Sequence, residues 1–144
     1  MKRLNRDAAR LARQHQAHAV TDITGYGLLG HGHEMAHLSG VDFHLHSQAL
    51  NWLPGARKYA EQDVFPGGMW RNKDYFEQWV RFDDRVPEAL QYLLFDPETS
   101  GGLLIAVAAA QADELCADLL AAGDQAQLIG DVLPGGGGLR VSFD

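Results

Sequence analysis

Apolar positions along the chain switch between helical and strand spacing several times, and these switches predict most of the elements. Leu4, Ala8, Leu11 and Ala12 recur at intervals of three and four, which predicts a short amphipathic helix over residues 7–16. His18-Ala19-Val20-Thr21 reads as a brief strand ending at Asp22, ahead of Ile23-Thr24-Gly25-Tyr26-Gly27. From 28 to 38 the spacing is helical again. Leu28, Leu29, Met35 and Ala36 share one broad face, while His33, Glu34 and His37 fall opposite it. Gly40 suits the residue just past that helix. Val41, Phe43 and Leu45 then alternate with Asp42, His44 and His46, the pattern of a strand with one wet face. Residues 53–62 read as helix, with Pro54 tolerable in the first turn.

Pro66-Gly67-Gly68 predicts a loop that runs through Met69-Trp70-Arg71-Asn72, and residues 87–95 predict a second short helix. The polar turn Asp96-Pro97-Glu98-Thr99-Ser100-Gly101-Gly102 empties into Leu103-Leu104-Ile105-Ala106-Val107, an unbroken apolar run that predicts a strand covered on both faces. Residues 111–122 form a helix directing Leu115, Leu119 and Cys116 inward, closed by Gly123. Segments 126–133 and 139–143 read as two strands joined by a loose turn of Pro134 and four glycines. Helices and strands mix without strict βαβ alternation. The expected architecture is one α+β domain over 1–144, a mixed sheet with helices on both faces in an α/β/α arrangement.

Composition narrows the functional classes. The chain has 144 residues, and 12 basic against 19 acidic side chains give a net charge of −7. With a pI near 5.4 and no basic stripe, no nucleic-acid partner is expected. The longest apolar stretch, 101–110, is too short to span a bilayer, so no membrane partner is expected either. Met1-Lys2-Arg3 is a basic flank without a following apolar segment, which argues against a secretory signal. The lone Cys116 excludes an internal disulfide and fits a reducing compartment, so a cytoplasmic location is expected.

Three segments carry candidate chemistry. His33-Glu34-Met35-Ala36-His37 is a literal HExxH, which on a helix can present two imidazoles to zinc with the glutamate as general base. The extended zinc-protease pattern needs a third histidine at position 43, where Phe43 stands; His44 is one residue late and on the opposite strand face. A solvated polar helix face explains the motif without metal. In the second segment, Asp22 ends a strand before the turn Thr24-Gly25-Tyr26-Gly27, a geometry suited to a nucleotide site. A single carboxylate can help hold Mg²⁺ on phosphates, and amides at a helix start can face an anion. The plain alternative is that Asp22 or Thr24 caps the helix. In the third, Thr99-Ser100-Gly101-Gly102 can form a nest of backbone donors for an anion or simply a tight turn.

Thr21-Asp22-Ile23-Thr24-Gly25-Tyr26-Gly27-Leu28-Leu29-Gly30-His31, Pro66-Gly67-Gly68 with Arg71-Asn72, Asp96 to Leu104, and Leu128-Ile129-Gly130-Asp131-Val132 occur in this order over nearly the whole chain. Together they resemble the C-terminal half of selenophosphate synthetase (selenide, water dikinase). That family belongs with aminoimidazole ribonucleotide synthetase, whose C-terminal domain is a three-layer α/β/α unit. Ile23, Tyr26 and Glu98 stand where the family pattern has Val, Phe and Gln. The resemblance implies a full enzyme that converts selenide, ATP and water to selenophosphate, AMP and phosphate, working as a homodimer. Asp22 matches a Mg²⁺ ligand on the ATP phosphates; Thr24, Gly25, Gly27, Asn72, Thr99, Ser100, Gly101 and Gly102 match segments around the nucleotide. The family's N-terminal ATP-binding domain, which carries the catalytic residues, is absent from this sequence, so the chain alone is expected to be inactive and to bind ATP weakly. A zinc hydrolase built on His33, Glu34 and His37, or a non-catalytic binding module, are the competing readings.

Overall fold

The computed structural model describes residues 4–144, so the basic flank Met1-Lys2-Arg3 lies outside the described residues. In chain order the elements are α1 (Arg6–Gln14), β1 (Ala19–Asp22), α2 (Gly27–Ser39), β2 (Val41–His46), α3 (Ala56–Ala60), α4 (Gly67–Phe76), β3 (Val80–Phe82), α5 (Glu88–Leu93), β4 (Leu103–Ala106), α6 (Ala109–Ala121), β5 (Gly130–Pro134) and β6 (Leu139–Ser142). Short 3₁₀ turns follow β2 and α4. No helix among the described residues is long and apolar enough to cross a membrane.

Two sheets organise the chain. β1 and β4 pair antiparallel, and a four-stranded mixed sheet runs in the order β3-β6-β2-β5. β6 is parallel to both β2 and β3, while β5 is antiparallel to β2. Alternation along β2 turns Phe43 and Leu45 inward, in register with Leu139 and Val141 of β6 and with Val80 and Phe82 of β3. α2 packs against this sheet and against β1, with Leu29 and Ala36 wholly buried. Leu104 of β4 joins that main core, whereas Ile105 and Val107 pack on a smaller cluster of Leu11, Leu115 and Leu119 from α1 and α6. The apolar run after Gly102 is therefore covered on both faces, and the mixed α+β architecture holds.

Four local expectations change. Residues 67–76 form helix α4, not a loop, because Met69, Asn72 and Phe76 recur at helical spacing on a buried face. Gly68 is needed there for proximity: a Cβ would meet the Pro97 ring at 2.7 Å. α3 is shorter than the predicted helix, with Pro54 outside it. β5 begins only at Gly130. β5 and β6 do not pair with each other; they flank β2, and the glycine run between them crosses the start of that strand. It is not loose: Asp42 Oδ1 accepts from the N–H groups of Gly136, Gly137 and Gly138 at 2.9, 3.0 and 2.7 Å. These donors hold the Asp42 carboxyl below its ordinary range, Gly136 contributing most.

Candidate functional site

Backbone hydrogen bonds fasten the turn after β1 to the turn before β4. The Ile23 N–H donates to Gly102 O, the Gly101 N–H to Ile23 O, and the Glu98 N–H to Thr24 O, at 3.0, 3.0 and 2.9 Å. Asn5 adds a side-chain donor to Gly101 O at 3.1 Å. Gly101 is required by the closeness of this contact, since a Cβ would lie 2.3 Å from Ile23 O. Gly27 is required twice over, by its φ of +68° and by the Phe95–Asp96 backbone 2.8 Å from where a Cβ would stand.

On the rim of this corner Asp22 lies opposite Leu103 in the β1/β4 ladder and is exposed. Among the described residues its carboxylate has no hydrogen-bond or ion-pair partner. Thr99 and Ser100 are exposed, and neither their amides nor their hydroxyls are paired among the described residues. Asp22 thus precedes, and Thr99 and Ser100 precede, the residues whose backbones join the two turns.

Asn72 plays a different part from the one its motif suggested. It is buried, and its Nδ2 donates to Gly25 O and to Phe95 O, both at 2.9 Å. The residue clamps the two turns from beneath instead of facing the rim. Thr24 is also engaged: its Oγ1 lies 3.1 Å from His31 Nε2, which also accepts from the Tyr26 N–H at 3.4 Å. That leaves His31 Nδ1 to donate to Glu34 Oε2 at 3.2 Å. The Leu29 N–H goes to Leu94 O and the Gly27 N–H to Thr24 O. At the start of α2 the Gly27 and Leu29 amides are thus directed at protein acceptors.

The corner is acidic. Asp96 is half-buried, its Oδ1 has no hydrogen-bond partner among the described residues, and burial pushes its carboxyl up. Glu98 is pushed up by burial and then by the charge of Asp96. A phosphate brought here meets like charge and needs a cation beside it. Arg71, which the sequence reading left without a role, is exposed beside Gly67 and Gly68 on the first turn of α4, next to Pro97.

The HExxH histidines stack on each other, ring centroids 5.6 Å apart, but Glu34 does not join them as a metal ligand. His33 is buried at 7 % exposure, not solvated; its ring stacks on Trp79 at 4.1 Å and its Nδ1 donates to Gly137 O at 2.8 Å. The helical wheel placed it outward because the wheel cannot see Trp79 or the glycine run crossing α2. Glu34 is paired with His31, and His37 is exposed. Among the described residues these three do not form a ligand cluster.

Residues 1–142 match the family described as AIR synthase related protein, C-terminal domain. A selenide, water dikinase of Caldanaerobacter subterraneus subsp. tengcongensis is 44% identical over 115 residues, 80% of this chain and 33% of its own length. The enzyme of the same name from Pelobacter propionicus is 42% identical over 92% of this chain and 38% of its own. For that of Clostridioides difficile the figures are 40%, 94% and 39%. The chain thus spans little more than a third of the length of these relatives.

Proposed function

Because the chain belongs to the AIR synthase related family as its C-terminal domain, we propose that it is the half of a selenide, water dikinase that closes the nucleotide site from outside the ATP-binding half. What supports this reading is an exposed, unpartnered Asp22 carboxylate at the end of β1, whose next residue, Ile23, is hydrogen-bonded to Gly101 and Gly102, directly after the exposed Thr99 and Ser100. The donor set fits Mg²⁺, which keeps several waters and takes one or two protein carboxylates together with substrate phosphates. When bound, such an ion neutralises charge on the transferring phosphoryl groups.

The remaining work falls to this chain's own residues. Asp22 offers one oxygen ligand from the end of β1. Thr99 and Ser100 offer donors to phosphate oxygens. Gly27 and Gly101 let the two turns approach, Asn72 locks both carbonyls, and the Thr24–His31–Glu34 chain fixes the turn leading into α2. Substrates on this reading are ATP, selenide and water; products are selenophosphate, AMP and phosphate; the partner is the ATP-binding half, within a homodimeric cytoplasmic enzyme. One carboxylate cannot assemble a polyphosphate site, so the isolated chain has no measurable synthetase activity and binds ATP weakly. The test is Asp22→Asn in a full-length dikinase carrying this half. Selenide-dependent AMP formation falls by about 100-fold or more, with unchanged thermal stability; turnover like that of the parent would sink the reading.

A further inference from the structure

A second group of ligating side chains lies on the four-stranded sheet, on the face turned away from Phe43 and Leu45. His44 and His46 are two residues apart on β2, so both imidazoles project from the same side. Asp144, just past β6, is held next to them by the Gln48 N–H donating to its backbone oxygen. One ring nitrogen from each histidine and one Asp144 carboxylate oxygen all lie within 4.8 Å of one another. Both histidines are half-buried. We propose that His44, His46 and Asp144 form a zinc site with its fourth position open to water.

The hydrogen bonds around the cluster assign the ligand atoms. His46 Nδ1 is 3.1 Å from Asp144 Oδ1, while its Nε2 is 3.1 Å from Asp131 Oδ2 on β5. That is the arrangement in which a carboxylate orients a metal-bound imidazole from behind. His46 therefore ligates through Nδ1, with Asp131 as the positioning residue. His44 ligates through Nε2, which lies 2.8 Å from Ser142 Oγ. The Ser142 hydroxyl links His44 to Asp144 and has a third partner in Leu45 O at 3.4 Å. Metal entry needs that hydroxyl to turn away and the three ligands to draw in to about 2.0–2.2 Å from the ion. Two imidazoles with one carboxylate and a water is a borderline-soft, four-coordinate set that favours zinc over Mg²⁺ or Ca²⁺. The site is independent of the Asp22 corner, so the proposal does not rest on the dikinase reading.

Zn²⁺ titration of the chain by calorimetry, with metal content checked by mass spectrometry after dialysis, tests this. One Zn²⁺ per chain is expected, and Co²⁺ in its place gives the visible absorption of a tetrahedral site. His46→Ala and Asp144→Asn abolish stoichiometric binding, and Asp131→Asn weakens it by about 10–100-fold. His37→Ala leaves it unchanged. Asp144 is exposed and outside any strand, so that variant stays informative where His46→Ala fails to fold. Absence of stoichiometric binding, binding that survives Asp144→Asn, or binding lost on His37→Ala would each overturn the assignment.

Discussion

Asp22 and Asp42 sit in similar company, each on a strand beside a glycine-rich segment, yet they end in opposite states. Asp42 accepts three backbone N–H bonds from the run 136–138, whereas Asp22 has no partner among the described residues. A carboxylate surrounded by amide donors is a structural device: it pins a flexible run across β2. A carboxylate left bare at the junction of two tightly joined turns contributes nothing visible to the fold and remains free for a ligand. Sequence alone does not show the difference, because Asp42 reads only as a wet-face strand position and the glycines that satisfy it lie far downstream.

The contrast predicts unequal responses to mutation. The largest effect is expected where the Asp22 corner depends on close backbone approach. Gly27→Ala should cost about 4 kcal/mol or prevent folding, measured by urea denaturation, because it combines an unfavourable φ with a clash against the Phe95–Asp96 backbone. Next, Asp42→Ala should lower the melting temperature by about 3–6 °C, while Asp22→Ala should move it by less than about 1 °C. Equal losses would erase the distinction between the two acids.

Acid sharpens the same comparison. Asp42 has a depressed carboxyl, so its contribution is complete above its ordinary value of 3.8 and is lost as pH falls through the lower folded value. Asp42→Asn should therefore flatten the fall in melting temperature in that acidic window. The smallest effect concerns Glu98, whose carboxyl is pushed up from 4.5. The folded state disfavours its charged form, so Glu98 costs stability above the raised value and nothing well below 4.5. Glu98 is exposed, so solvent screens the cost, and Glu98→Gln should raise the melting temperature by only about 0.5 °C at pH 7, a gain that closes in acid.

Local patterns carried much of the fold. The alternation from Val41 to Leu45 specified β2 and its buried face, and the apolar spacing after residue 110 specified α6. What local patterns missed was set by distant partners. Gly67 and Gly68 read as a loop, although Pro97 is what calls for a small residue inside α4. His33 read as wet because Trp79 and Gly137 reach it from elsewhere in the chain. The placement of β5 and β6 on either side of β2 is likewise non-local and leaves no spacing signature. At the site, Asp22 and the 96–102 turn were singled out separately from strand-end and glycine signals, and only family resemblance grouped them. The roles of Asn72 and His31 depended on carbonyls and rings that no linear motif displays.

β2 is synthesised well before residues 130–142, which supply both strands that flank it. Until that segment leaves the ribosome, a central strand with Phe43 and Leu45 on it has two bare edges, the condition under which strands pair with the wrong neighbour. Loss of the last two strands would therefore be far more damaging than loss of an equal length at the other end.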